Sequence, residues 1–250
     1  MEPEGLKTIS IRIDGELVTA REGQTVLQAA RDHGKRIPTL CYLKGLSATG
    51  ACRVCMVEVA GTDRLMAACT TPVQDGMSIR TTSTRLEEYR KMAIELLLVE
   101  RNHTCSVCVS NSHCELQTLA QSLEVTHVRY PYNNPRLPVD MSHPRFILDH
   151  NRCILCTRCV RVCAELEGAH VWEISGRGIA SRLAGDMADD WGNSQNCTNC
   201  GKCAEVCPTG ALTQKDPISW RSKRADVISE LQLKRGQAVR RETVVARLAH

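Results

Sequence analysis

Aromatic side chains are scarce in this sequence: Phe, Trp and Tyr together make up 3% of its 250 residues, and Phe occurs once. Cores without aromatic bulk must be filled by Val, Ile, Leu and Ala, or be held from within by bound metal. Long hydrophobic runs are missing too. No stretch reaches the roughly 18 apolar residues that cross a bilayer, and the opening Met1-Glu-Pro-Glu-Gly-Leu-Lys-Thr8 has acidic residues where an export signal would be apolar. These absences predict a cytoplasmic chain with no integral membrane segment. Charge of one sign is not in large excess. The net charge is +4 and the pI is near 8.4, too mild for the dense basic stripe of a nucleic-acid binder. The sequence also has no G-x-G-x-x-G, no P-loop and no G-x-S-x-G, and Gly176-Arg-Gly178 is too short to stand for a dinucleotide fingerprint. A substrate-converting site of its own is therefore not expected, and no catalytic residue is assigned.

What is abundant is cysteine, with fifteen residues. In a reducing compartment that number argues for metal ligation over disulfides, and an odd count leaves one thiol over in any pairing scheme.

Around the cysteines the chain reads as a series of small modules. Lys7 to Ile13 alternates like a strand, Asp14-Gly15 is a hairpin pair, and Glu16 to Thr19 returns as a second strand. Thr25 can cap a helix carrying Val26, Leu27, Ala29 and Ala30, ended by Gly34. Strands follow at Met56 to Ala60, at the approach to Cys69, and near Met77 to Arg80, which describes a mixed sheet with one helix packed on it. Thr84-Arg-Leu-Glu87 has the form of a capping box, and Leu86, Tyr89, Ala93, Leu96 and Leu97 share one face of a helix reaching Asn102. Another helix is expected from Glu115 to Leu123. Tyr130 to Pro144, rich in proline, reads as an extended linker and a domain boundary. From Phe146 to about Leu212 two cysteine runs recur 44 residues apart, an internal repeat. The last stretch, Arg221 to His250, has eight Lys or Arg against three Asp or Glu, and reads as a solvated tail or a docking arm. The expected segments are 1–83, 84–129, a linker at 130–145, 146–220, and a basic tail at 221–250.

Three constellations carry chemistry. Cys41, Cys52, Cys55 and Cys69 are spaced C-x10-C-x2-C-x13-C, with Gly45 and Gly50 in the long loop. Four thiolates suit a [2Fe-2S] cluster or zinc. A single close pair flanked by two isolated cysteines implies a loop that wraps its metal, which favours iron. The second constellation, His103-Thr-Cys105-x2-Cys108-x5-Cys114, offers three thiolates. A [4Fe-4S] cubane needs a fourth ligand. His103 is the expected one and His113, beside Cys114, is its competitor. Third come the tandem runs Cys153-x2-Cys156-x2-Cys159-x3-Cys163 and Cys197-x2-Cys200-x2-Cys203-x3-Cys207-Pro208. In such runs three close cysteines hold one [4Fe-4S] cluster and the fourth crosses to the other. Cys153, Cys156, Cys159 and Cys207 then form one set, and Cys197, Cys200, Cys203 and Cys163 the other. Cys163 is followed by Ala164 where proline is usual, and 33 residues separate the runs, an insertion expected to add surface. Four, three and eight cysteines exhaust the fifteen. One [2Fe-2S] and three [4Fe-4S] clusters make sense as a relay, and a zinc-stabilised interaction scaffold is the rival of another class.

This order, with Cys114-Glu-Leu-Gln117 closing the one-histidine segment, resembles the N-terminal part of the large iron-sulfur subunit of respiratory complex I and the N-terminal wire of iron-only hydrogenases. The resemblance covers about residues 7 to 215. It looks most like the HoxU-type small diaphorase subunits of NAD(P)-reducing bidirectional nickel-iron hydrogenases, in which the histidine stands two positions before its first cysteine, as His103 does, where complex I has it four before. The resemblance implies an α+β chain: an N-terminal β-grasp [2Fe-2S] ferredoxin-like domain, a helical one-histidine, three-cysteine [4Fe-4S] segment, and a C-terminal two-cluster bacterial ferredoxin-like domain. It also implies an electron-transfer role between a flavin (FMN)/NAD(P)-binding diaphorase subunit and the small and large subunits of a nickel-iron hydrogenase. The alternative is the equivalent wire of an NAD-dependent formate dehydrogenase, an electron-bifurcating hydrogenase or a complex I-like NADH dehydrogenase.

Overall fold

The computed structural model describes residues 7–186 and 190–216; the basic tail expected at 221–250, and the last residues of the segment expected to end at 220, lie outside them. Two compact units are formed. The first takes the residues up to Tyr42, Ala48–Glu100 and Glu115–Asn133, and the second takes Leu43–Ser47, Arg101–Cys114 and the residues from Asn134 onward.

The first unit begins with β1 (Thr8–Ile13) and β2 (Glu16–Arg21). Alternation turns Ile9, Ile11 and Ile13 inward. Asp14 and Gly15 both have positive φ, 53° and 86°, the backbone of a tight hairpin whose twist matches its strands. Pairing runs from Ile13 opposite Glu16 to Thr8 opposite Arg21, two residues past the expected end of the second strand. Helix α1 (Val26–Asp32) starts at a full capping box. The Gln28 amide donates to Thr25 Oγ1 at 3.3 Å and the Thr25 amide donates to Gln28 Oε1 at 2.9 Å. Strands β3 (Met56–Val59), β4 (Met66–Ala67) and β5 (Ser78–Arg80) complete a sheet of order β2-β1-β5-β3-β4, in which only β1 and β5 run parallel. Its core is aliphatic, as the composition requires: Ile11, Ile13, Val26, Leu27, Val57 and Leu86 are fully or almost fully buried.

Helix α2 (Thr84–Glu100) departs from its sequence reading in two ways. Ser83 caps it, not Thr84: Ser83 Oγ accepts from the Leu86 amide at 3.2 Å and donates to Glu58 Oε1 at 3.0 Å. The buried face holds Leu86, Arg90, Ala93, Ile94 and Val99, whereas Leu96 is 45% exposed. Arg90 rotates the stripe, because its buried guanidinium donates to the carbonyls of Met56 and Thr81, both at 2.9 Å. Those two carbonyls give a long basic side chain a reason to be inside. Helix α3 (Glu115–Ser122) buries Leu116.

In the second unit, β6 (Val139–Asp140) and β7 (Phe146–Asp149) pair antiparallel, so the segment expected as a bare linker contributes a strand. Next come α4 (Arg158–Val162), the hairpin of β8 (Glu173–Ser175) and β9 (Arg182–Ala184), α5 (Lys202–Glu205) and β10 (Leu212–Gln214). Strand β10 lies on the other side of β7, giving the order β10-β7-β6. The core is not purely aliphatic: it gathers the chain's single Phe and two of its three Trp, at Phe146, Trp172 and Trp191. The 33-residue insertion supplies both tryptophans, so it builds core as well as surface.

The corrected face of α2 can be measured. Ile94→Ala should lower the unfolding free energy of the chain by about 2–5 kcal/mol, while Leu96→Ala should change it by no more than about 0.5 kcal/mol. Denaturant titration of both variants checks the pair, and equal losses would restore the face expected from sequence.

Candidate metal centres

None of the fifteen cysteines is in a disulfide, and Cys41, Cys52, Cys55 and Cys69 are all buried in the first unit. The loop from Cys41 brings the backbone round: the Cys41 amide donates to Cys52 Sγ at 3.3 Å, and Arg53, between Cys52 and Cys55, takes a left-handed φ of 56°. The four side chains interact in series, Cys52 with Cys41, Cys41 with Cys69 and Cys69 with Cys55. Hydrogen bonds from Cys52 and Cys69 pull the Cys41 thiol down to about 2, and one from Cys69 pulls Cys55 down to about 7. The donors, Cys52 and Cys69, are pushed up for the same reason. The opposite shifts mark four buried thiols that act on one another, and thiolates this close would repel unless a cation stood among them.

The second constellation lies in the other unit, just past the end of α2. His103 Nε2 is buried and has no hydrogen-bonding partner. Burial, with the nearby cations Arg152 and Arg101, lowers the His103 pKa to about 4, so the ring is neutral at ordinary pH. A buried ring nitrogen left without a partner is costly unless something absent from the protein alone completes it. His113, its competitor, is exposed. The Cys105–Val107 turn is closed by the Cys108 amide bonding to the Cys105 carbonyl at 3.1 Å. Cys108 packs against Gly210 so closely that a Cβ there would stand 2.9 Å from its sulfur.

The tandem runs build two cavities. One is lined by Cys153, Cys156, Cys159 and Cys207, with Leu183 and Leu212 among its apolar walls. The other is lined by Cys163, Cys197, Cys200 and Cys203, with Phe146, Trp172 and Trp191. Each cavity therefore takes three cysteines from one run and the fourth from the other. The repeat extends to the backbone. Leu155 and Thr157 have φ of 51° and 60°, and their counterparts 44 residues on, Asn199 and Gly201, have 58° and 78°. Left-handed turns of this kind aim successive amides into the concavity of a loop. The Leu155 amide reaches Cys153 Sγ at 3.5 Å and the Val171 amide reaches Cys163 Sγ at 3.4 Å.

Burial raises the thiols of Cys156, to about 12, and of Cys159, Cys163 and Cys203. Opposing this, the Arg158 cation lowers Cys156 and the Trp172 indole bonds to Cys203. Among the described residues no three His, Cys, Asp or Glu side chains are gathered as a single metal ion would need. The eight thiols of the second unit stand around the walls of two spaces, which suits a polynuclear group whose irons each bind one sulfur.

The eight cysteines grouped from the tandem runs do line two shared cavities, but the surroundings that make their burial tolerable are not legible in the spacing. Arg158 and Arg161 of α4 are buried beside the runs, and Trp172, Trp191 and His143 line or flank the second cavity. A signal was available: in a chain with so few aromatics, one Phe and two Trp fall between residues 146 and 191.

Comparison with known proteins follows the same division. Residues 6–84 match a 2Fe-2S iron-sulfur cluster binding domain, residues 90–129 the NADH-ubiquinone oxidoreductase-G iron-sulfur binding region, and residues 144–213 the ferredoxin-like domain of NADH-quinone oxidoreductase subunit 3. The chain is 41% identical over 215 residues to the NADPH-Fe(3+) oxidoreductase subunit alpha of Geobacter sulfurreducens, covering 86% of the chain but only 25% of that protein. It therefore spans about a quarter of the length of that relative. It is 35% identical over 220 residues to the NAD-reducing hydrogenase HoxS subunit gamma of Cupriavidus necator, covering 86% of the chain and 92% of the relative. A solved chain from the crystal structure of NAD+-reducing [NiFe]-hydrogenase in the H2-reduced state superposes with a TM-score of 0.78 at 37% identity, over 83% of this chain and 88% of the other.

The two cavities make opposite statements about single substitutions. Cys163→Ala should remove metal from the set containing Cys197, Cys200 and Cys203 and leave the set next to it in sequence filled. Metal analysis with electron paramagnetic resonance distinguishes them, and loss confined to the Cys153 set would overturn the crossing.

Proposed function

The chain belongs to the family of the NAD-reducing hydrogenase HoxS gamma subunit, and from that premise we propose that it is the iron-sulfur electron-transfer subunit of an NAD(P)-reducing nickel-iron hydrogenase. It passes electrons between a flavin (FMN)/NAD(P)-binding diaphorase subunit and the small and large hydrogenase subunits. The observation that carries this reading is the pair of cavities, each completed by a cysteine from the other run.

In this reading residues 1–83 form a β-grasp [2Fe-2S] ferredoxin-like domain, with Cys41, Cys52, Cys55 and Cys69 as ligands. His103, Cys105, Cys108 and Cys114 hold one [4Fe-4S] cluster in a helical one-histidine, three-cysteine segment. The two-cluster ferredoxin-like region holds the remaining pair, one on Cys153, Cys156, Cys159 and Cys207, the other on Cys163, Cys197, Cys200 and Cys203. The segments expected at 1–83, 84–129 and 146–220 are kept as functional regions, although packing places 115–133 with the first unit and 101–114 with the second. Bound clusters supply one-electron carriers. The chain's own residues match their charge with Arg158 and backbone amides and carry them along one polypeptide. Among the described residues no helix is long and apolar enough to cross a membrane.

A second reading has a specific observation behind it: the higher identity to the Geobacter protein, an NADPH-Fe(3+) oxidoreductase subunit alpha. In that case the same wire serves a complex without a nickel-iron module. The span of 92% of the hydrogenase subunit, against 25% of the other, supports the first reading.

One [2Fe-2S] and three [4Fe-4S] clusters require about 14 iron atoms per chain, which iron and acid-labile sulfide analysis of anaerobically prepared protein checks. A value near ten would mean one cubane is missing, and substantial zinc would sink the relay. Native co-purification should recover flavin-bearing and nickel-containing subunits, and the isolated chain should neither oxidise NAD(P)H nor evolve H2. Replacing a thiolate by a neutral imidazole removes a negative charge and raises the potential. His103→Cys should therefore lower the potential of one [4Fe-4S] signal and leave the other three centres unmoved. An unchanged titration would remove His103 from the ligand set.

A further inference from the structure

His143 lies outside every cysteine motif, in the stretch that the sequence marks as a linker. It is buried, and its ring packs against both Phe146, with centroids 4.9 Å apart, and Trp191, at 4.6 Å. Its Nδ1 accepts hydrogen bonds from two backbone amides, Arg145 at 3.1 Å and Phe146 at 3.2 Å. A nitrogen accepting two N–H groups carries no proton, so the ring's one hydrogen is on Nε2. That Nε2 lies 3.9 Å from Cys197 Sγ, within reach of an N–H···S bond. The Asn199 side chain accepts a hydrogen bond from the same ring and donates to the Cys197 carbonyl at 3.4 Å, so it flanks the Nε2–H on the side of the sulfur. Backbone capping has therefore fixed the one tautomer that can donate to this sulfur.

We propose that His143 is a positioning residue that donates from Nε2 to Cys197 and thereby raises the reduction potential of the cluster held by Cys163, Cys197, Cys200 and Cys203. The proposal rests on the assignment of those four cysteines to one [4Fe-4S] cluster. Hydrogen bonds to ligand sulfurs disperse negative charge, and reduction adds negative charge, so a donor favours the reduced state. Donation by His143 joins that of Trp172 to Cys203 and of the Val171 amide to Cys163, and it is the member of the group whose two nitrogens have separable jobs.

That separation gives the test. His143→Asn keeps a side-chain oxygen at the position of Nδ1, able to accept from Arg145 and Phe146, but is too short to reach Cys197. His143→Gln places an N–H donor as many bonds from the backbone as Nε2 and gives up the cap. Redox titration of the full chain in its assembly, followed by electron paramagnetic resonance, should show one [4Fe-4S] midpoint moved to more negative potential in His143→Asn and restored toward the native value in His143→Gln. The signal that moves should be the one that Cys163→Ala abolishes. A residue acting only as a cap gives the reverse order, with His143→Gln perturbed and His143→Asn native, and that result overturns the proposal. So does a full complement of iron with no midpoint moved in either variant. Native protein that lacks this cluster altogether would instead overturn the cysteine assignment, so the two failures are distinguishable by iron analysis before any titration.

Discussion

Thiols buried in a protein interior resist becoming thiolates unless positive charge or N–H donors meet them, and the architecture of the second unit answers to that constraint. Its runs place Cys156, Cys159, Cys163 and Cys203 inside, where burial raises each of them. The compensation comes from several scales at once. Left-handed residues turn loop amides inward, α4 brings two buried arginines, and Trp172 adds a side-chain donor. Since each cavity borrows its fourth cysteine from the other run, neither half of the repeat has a complete sulfur set alone. The strand pairing has the same character: β7 enters the first run, β10 leaves the second, and the two are paired along Leu212 opposite Leu148.

How much of this could be read beforehand depended on the range of the interaction. Cysteine spacing fixes local loop geometry, so the grouping of the eight cysteines around two cavities needed only the sequence and the crossing rule. Asp14-Gly15 and Thr25 were equally legible, since a hairpin pair and an N-cap act within four residues. The failures are tertiary. Arg90 has no place in a hydrophobic stripe until Met56 and Thr81 present their carbonyls, and without it Leu96 looks as good a core residue as Ile94. Ser83 looks like one more polar residue before a helix until Glu58 is found beside it. Strand β6 hides in a proline-rich stretch because two residues of pairing leave almost no periodic signal. His143 is invisible for a different reason: its Nδ1 is held by its own backbone, while its Nε2 faces a residue 54 positions away.

Composition also proved to be a local quantity. Averaged over the chain, aromatics are nearly absent, and the first unit's core is aliphatic as that average predicts. The second unit spends the few rings it has in one place, with Trp172 edge-on to Trp191 at 4.8 Å and Phe146 stacked on Trp191 at 5.3 Å. Large flat side chains cover much surface with little conformational entropy to lose, which suits the wall of a cavity in a unit whose strands are only two to four residues long.

The left-handed turns of the repeat, alike in shape, are unlike in expense. Asn199 and Gly201 are residue types that adopt this backbone readily, whereas Leu155 and the β-branched Thr157 each hold it at a cost of about 1–2 kcal/mol. One copy of the loop is therefore close to relaxed before anything binds, and the other is cocked. The first loop nevertheless holds the same left-handed backbone as its twin. Of two sites related by duplication, one behaves as a mould and the other as a spring.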